Sequence, residues 1–148
     1  MTDTPRTRGQ RRHDTTHRLE HDIDCWVASA DTDGTPHLVP LSFHWDGHTL
    51  LLATEADSPT GRNLAGGRAR IALGHTRDVV MIDGHVETLD LDALPDERGE
   101  RFATRTGFDP RTLTPYRWYR IRPHRVQAWR EVDEMPGRTL MRHGRWLD

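Results

Sequence analysis

Lysine is absent from this chain of 148 residues, so all 21 of its basic residues are arginine. The 23 acidic residues give a formal net charge of −2, which argues against a nucleic-acid binder that works through bulk charge. Arginine suits paired contacts to phosphate and carboxylate groups, because its guanidinium presents several donors in one plane. We therefore expect no nucleic-acid partner, and arginine wherever the chain binds an anion.

The chain also has little cysteine and no long apolar run. Its single cysteine, Cys25, excludes an internal disulfide, and we expect it to be a small buried core residue. The first residues, MTDTPRTRGQRRHD, lack the apolar segment of a signal peptide. We expect a cytoplasmic protein without a membrane partner, built as one domain over residues 1–148, with residues 1–12 flexible or frayed.

The order of apolar residues predicts few helices and many strands. Residues 9–23 show helical spacing, whereas residues 25–54 alternate and contain the hairpin signal Asp46-Gly47, which predicts a three-stranded antiparallel meander. Pro40 falls inside one of these strands, where it cannot donate to a ladder. It therefore indicates an edge, a bulge or the mouth of a split barrel.

The second half of the chain continues this pattern. Ser58 is a natural N-cap and Pro59 suits the first helical position, so SPTGRNLAGG predicts a short helix. A further helix is predicted in DALPDERGERFATRTG, between the strand-like segments RARIALG, VVMIDGHVETLDL and YRWYRIRPHRVQAWR, and GRTLMRHGRWL closes the chain. The sequence thus predicts a mainly β protein: a six- to seven-stranded antiparallel split β-barrel with two or three short helices.

The stretch TEADSPTGRNL is rich in donors that suit a phosphate group. Helix N-termini favour anions, Thr54, Ser58 and Thr60 add hydroxyls, and Arg62 adds a guanidinium. The alternative interpretation is a plain capped helix.

The histidines and Trp129 are weaker signals. His13, His17 and His21 share one helix face at metal-compatible spacing, but we expect that face to be solvent-exposed and to bind no metal. Trp129 stands among arginines and either covers a planar heterocycle or belongs to the core. No catalytic triad, Walker loop or dinucleotide fingerprint is present, so the catalytic residues are unassigned, and any chemistry is expected to come from a cofactor.

Two long stretches carry a family resemblance that covers residues 20–147. They are DGTPHLVPLSFHWDGHTLLLATEADSPTGRNLAGGRARIAL and RPHRVQAWREVDEMPGRTLMRHGRWL. The chain resembles the pyridoxamine 5′-phosphate oxidase-like, FMN-binding split-barrel superfamily, and within it the small actinobacterial branch of flavin and deazaflavin oxidoreductases.

The resemblance implies a homodimer with two cofactor sites at the subunit interface. The third-strand threonine and the first turn of the short helix would hold the cofactor phosphate, and the second strand would lie along the ring. Trp129 and Arg142 would reach the flavin from the partner subunit, and Arg138 matches a substrate-side arginine. The implied cofactor-binding residues are His37, Val39, Pro40, Leu41, Ser42, Thr54, Ser58, Thr60, Arg62, Asn63, Trp129 and Arg142.

The chain departs from the family pattern at two places. Pro59-Thr60 replaces the Arg-Lys of many members, and Leu140 replaces a substrate histidine, which argues against oxidation of pyridoxamine phosphate itself. The leading hypothesis is an oxidoreductase that uses FMN or F420 and transfers hydride to or from a small planar or unsaturated substrate.

Two alternatives remain. The barrel could be a non-catalytic flavin-, heme- or tetrapyrrole-binding protein, with His37, His75 or His85 as an axial ligand, or an interaction dimer that has lost its cofactor.

Overall fold

Nine strands, all paired antiparallel, and three α-helices make up residues 4–148, the part of the chain that the computed structural model describes. The helices are α1 (Arg8–His21), α2 (Pro59–Leu64) and α3 (Asp96–Thr106). The strands are β1 (Asp24–Ala30), β2 (Pro36–Ser42), β3 (His44–Trp45), β4 (Leu50–Glu55), β5 (Arg68–His75), β6 (Asp78–Leu89), β7 (Tyr116–Arg130), β8 (Thr139–Arg142) and β9 (Arg145–Trp146). The predicted fold class, a mainly β split barrel with few helices, is confirmed.

The longest strand, β7, joins the two halves of the sheet. The order is β2-β1-β5-β6-β7-β4-β3, and β8 adds to β7 and carries β9 beyond it. The first part of β7 pairs with both β4 and β6, and its last part pairs with both β6 and β8. Strand β4 pairs with β7 along one edge and with β3 at its start, and it does not pair with β2.

The predicted meander over residues 25–54 is therefore wrong in one of its two pairings. The β1–β2 pair forms, and the Asp46-Gly47 turn joins β3 to β4, but β2 and β4 approach each other without pairing. The chain leaves the first ladder at Phe43, whose side chain is fully buried and whose N–H donates to the carbonyl of Ile23 at 2.8 Å. Pro40 lies on this open edge, as its missing N–H predicted.

The core fills the space between the two halves of the sheet. Its main cluster includes Val27, Leu52, Ile71, Ile82 and Tyr119, all buried. A smaller cluster joins β4 to α3 through Leu51, Phe102 and Trp118; the rings of Phe102 and Trp118 meet edge to face with centroids 5.0 Å apart. Within residues 4–148, no helix combines the length and the apolar character that crossing a bilayer requires.

Helix α1 ends at His21, two residues before the predicted boundary. Ile23 and Trp26 fit its spacing but lie outside it and are exposed, because Asp22 is already extended and β1 begins at Asp24.

The N-terminal segment is docked onto the far end of β7. Arg6 holds the buried carboxylate of Glu134 through its backbone N–H (2.8 Å) and its guanidinium (2.7 and 3.1 Å). Arg11, only 4% exposed, donates to the carbonyls of Ala128 (3.1 Å) and Glu134 (2.9 Å). This differs from the frayed segment expected over residues 1–12; residues 1–3 lie outside the described part of the chain.

Helix α2 is packed closely against the strand end that precedes it. A methyl group on Gly61 would lie 2.2 Å from the carbonyl oxygen of Glu55 and 2.9 Å from the hydroxyl of Tyr119. Ser58 caps the helix by accepting from the N–H of Gly61 at 3.0 Å, and Pro59 takes the first helical position, as predicted.

The Arg6–Glu134 pair should contribute a pH-dependent part of the stability. Burial raises the pKa of Glu134, but the hydrogen bonds from Arg6 and Arg130 outweigh it and bring the pKa to about 2, below the usual 4.5. The stabilisation is therefore complete above about pH 4.5 and is lost as the pH falls towards 2. We expect Glu134→Gln to lower the free energy of unfolding by about 3 kcal/mol at neutral pH.

Urea unfolding at pH 7 and pH 3 measures this effect. The difference between the wild type and Glu134→Gln should shrink at the lower pH. The control is Glu87→Gln, which removes the surface partner of Arg120 and should cost under about 1 kcal/mol. A pH-independent difference for Glu134→Gln would contradict the account.

Gly61→Ala should displace α2 or strain it, at a cost of about 1–3 kcal/mol, because backbone atoms occupy the space of the new methyl group. The control is Gly9→Ala in α1, where the nearest atom to the added carbon would be 3.9 Å away. That change should stabilise the protein by up to about 1 kcal/mol. Thermal unfolding distinguishes the two variants, and equal effects would show that α2 is loosely packed.

Candidate cofactor-binding groove

The gap between β2 and β4 forms a groove of about 390 Å³. It is lined by four of the residues proposed from the sequence, namely Pro40, Leu41, Ser42 and Thr54. The three residues of β2 form one side and Thr54 of β4 forms the other. The volume lies in the ordinary range for small-molecule sites.

Aromatic side chains that the sequence analysis did not single out form the wall beside Thr54. Phe102 comes from α3, and Phe108 and Tyr116 come from the segment that follows it, with the rings of Phe108 and Tyr116 5.6 Å apart. Asp24 closes one end, where it accepts a hydrogen bond of 2.7 Å from the hydroxyl of Ser42. Phe108 lies in a connecting loop, so no periodic pattern pointed to it.

Helix α2 has fewer hydrogen-bond donors available to a phosphate than its sequence predicted. Pro59 has no N–H, and the N–H groups of Gly61 and Arg62 are taken by the side chain and carbonyl of Ser58. The hydroxyl of Ser58 also donates to the carbonyl of Glu55 at 2.7 Å. Thr60 is buried. Exposed Arg62, held by a 2.5 Å hydrogen bond to the carbonyl of Asp57, is therefore the cation that this helix presents to a ligand.

The remaining β2 and α2 residues play supporting parts. Val39 packs partly buried against the main core, and His37 is half-buried on the same strand. Asn63 donates to the hydroxyl of Ser29 on β1 at 3.1 Å, and this hydrogen bond links α2 to β1. None of the three lines the groove.

Trp129, Arg138 and Arg142 do not line the groove of their own chain. Thr54 pairs with Arg117 near the start of β7, whereas Trp129 lies twelve residues further along that strand. Arg138 donates to the carbonyl of Met135 at 2.9 Å, and Arg142 is exposed at the β8–β9 turn.

Two of the three histidines on α1 contact each other. His17 and His21 stack with ring centroids 4.1 Å apart, and residues 4–148 contain no cluster of three metal-ligating side chains. His75 is exposed at the end of β5, and His85 lies 4.6 Å from the ring of His124.

Cys25 is buried, as predicted, and burial raises the pKa of its thiol to about 12, so it is not a nucleophile at neutral pH.

Solved structures resemble the fold at low sequence identity. An F420 reductase covers 74% of this chain and 93% of its own, with 20% identity and a TM-score of 0.60. A Listeria innocua protein described as a putative pyridoxamine 5′-phosphate oxidase covers 78% and 95%, with 16% identity and a TM-score of 0.64. HutZ, a heme storage protein from Vibrio cholerae, covers 78% and 92%, with 14% identity and a TM-score of 0.63.

Sequence comparison is more specific about ancestry. No curated protein sequence gives a match. The sequence profile described as pyridoxamine 5′-phosphate oxidase, however, matches residues 17–130, which include the groove-lining residues of β2 and β4. The chain belongs to the pyridoxamine 5′-phosphate oxidase family.

Proposed function

We propose that this protein binds a flavin-type cofactor, FMN or F420, in the groove between β2 and β4 and acts as an oxidoreductase. The carrying observation is the groove itself, which brings Pro40, Leu41, Ser42 and Thr54 together although they come from two strands that do not pair. The substrate would be a small planar or unsaturated molecule that enters the same opening.

The groove residues fit a flat heterocycle. Pro40 and Leu41 supply an apolar side, while Phe108 and Tyr116 supply aromatic faces that stack on planar rings. Ser42 and Asp24 place a hydroxyl and a carboxylate at one end, where ring nitrogens and oxygens need partners. A bound flavin or deazaflavin would supply the hydride chemistry, and these walls would exclude water from it.

The anionic part of such a cofactor has one clear partner in α2. Arg62 can reorient from its single backbone hydrogen bond, whereas the hydroxyl of Ser58 is used twice within the chain. The phosphate contact therefore depends on a guanidinium rather than on the helix terminus. Between the two cofactors, we propose FMN ahead of F420.

The proposal includes a homodimer. Trp26 and Leu38 are 49% and 61% exposed, and the β1–β2 register places both beside Pro40 on one outer face. An exposed apolar face of this kind favours burial against another protein surface. A second copy is the occupant we propose, because the family resemblance implies a homodimer and because Trp129 and Arg142 do not line the groove of their own chain.

Heme binding is the second candidate. It is supported by the fold similarity to HutZ and by half-buried His37, whose strand also lines the groove. Heme added to the purified protein would show a shifted and sharpened Soret band, and His37→Ala would return it to that of free heme, whereas a flavin-type protein would bind FMN or F420 instead.

Titration of the purified protein with FMN and separately with F420, followed by fluorescence, tests the cofactor. We expect Arg62→Ala to weaken binding about tenfold or more, because it removes a charged contact to the phosphate. Ser58→Ala should weaken binding less, since its hydroxyl is already engaged.

The matched control for this titration is Arg77→Ala, an exposed arginine at the β5–β6 turn whose loss should leave binding unchanged. Failure of both cofactors to bind at about 1 mM would contradict the proposal and would favour heme or an interaction dimer without a cofactor.

Sedimentation or light scattering tests the dimer. Trp26→Glu and Leu38→Glu place a charge on the proposed interface and should shift the protein towards the monomer. Val132→Glu changes an apolar residue that is 82% exposed elsewhere and should leave the oligomeric state unchanged. A wild-type monomer, or a dimer insensitive to all three changes, would contradict this interface.

A further inference from the structure

A β-bulge in β7 creates a second concave site on the outer face of the sheet. Asp83 pairs with Arg125 and the next residue, Gly84, pairs with Pro123, so His124 is the extra residue. Bulges re-aim side chains and are frequent beside functional sites. A methyl group on Gly84 would lie 2.4 Å from Cγ2 of Ile121, so the close approach of β6 and β7 here requires glycine.

The pocket beside the bulge measures about 400 Å³. Its small lining residues leave room for a ligand: Ala28, Ala30, Ala69 and Gly84. Its polar residues come from four strands: Ser29, Arg68, Arg70, Asp83, His124 and Arg125. None of these lines the groove between β2 and β4.

The pocket carries excess positive charge. Asp83 is its only carboxylate and is held by Arg70 at 2.5 Å. Within residues 4–148, neither Arg68 nor Arg125 has a carboxylate within 4.0 Å. Ser29 accepts from Asn63, so its own hydrogen can be donated to a ligand. Three guanidiniums and a hydroxyl therefore surround one neutralised acid.

The pKa of His124 is lowered by burial and by the same positively charged surroundings. Burial lowers its pKa, and the charges of His85, Arg68 and His143 lower it further, against the opposing effect of Asp83. The imidazole is thus neutral at pH 7 and offers one ring N–H without adding charge. An anion bound among these groups would favour the imidazolium and raise the pKa.

We infer that this pocket binds a small oxyanion, the phosphate or carboxylate group of a metabolite. Arginine forks match both groups, and Arg68 and Arg125 face the pocket from β5 and from the bulge. The volume of about 400 Å³ suits a small molecule. The pocket shares no lining residue with the groove, and it adjoins the proposed dimer face, because Ala28 pairs with Leu38.

Titration with inorganic phosphate at constant ionic strength, with chloride as the matched salt, tests the inference. We expect saturable binding with a Kd of about 1 mM or tighter. Arg68→Gln and Arg125→Gln should each weaken it about tenfold or more. Arg77→Gln is the control, because Arg77 lies outside the pocket and is paired with Glu131, and it should bind like the wild type.

Two further readouts strengthen the test. Saturating phosphate should raise the pKa of His124 measured by NMR. Phosphate bound outside the pocket would leave that pKa unchanged. Succinate in place of phosphate shows whether a carboxylate or a phosphate is preferred.

The inference would be overturned if neither anion bound saturably, or if Arg68→Gln and Arg77→Gln bound alike. It would also be overturned if Arg62→Ala abolished phosphate binding while Arg68→Gln left it unchanged, because the anion would then bind at the cofactor groove.

Discussion

Strand β7 is hydrogen-bonded along both edges, and this double pairing determines where both candidate sites lie. Its first part pairs with β4, and the gap between β4 and β2, which do not pair, is the groove. Further along the same strand, the extra residue His124 produces the bulge and, with it, the arginine-lined pocket. One strand therefore positions two sites that share no residue.

The open edge of β2 is the second consequence of this arrangement. An unpaired strand edge exposes backbone groups that a ligand or another chain can satisfy. Pro40 removes one donor from that edge, and the adjacent face bears Trp26 and Leu38. A flat cofactor in the groove and a second subunit on the face would together cover these surfaces, which is why we treat cofactor and dimer as one proposal.

Local chemistry made part of this structure predictable. Ser58-Pro59 predicted the start of α2, Asp46-Gly47 predicted a hairpin, and the strand proline marked the split. These signals work because they depend on a few adjacent residues. The family resemblance added the correspondence of β2 and Thr54, which the groove then brought together.

Long-range contacts were not predictable in the same way. Nothing local says that β4 pairs with β7 rather than β2, or that Arg6 meets Glu134, 128 positions away. The aromatic wall was missed because Phe108 lies in a loop without periodicity. Pro123 inside a strand was a usable signal for the bulge, since proline is confined to edges and irregularities.

The most direct test of the central claim is an amide chemical-shift map of the isotopically labelled protein with and without FMN, repeated with F420. The account predicts that the largest changes fall on residues 39–42 and 53–54 and on the aromatic wall at Phe108 and Tyr116. Changes confined to residues 28–30, 68–70 and 124–125, or no changes with either cofactor, would contradict a flavin-type cofactor in the β2–β4 groove.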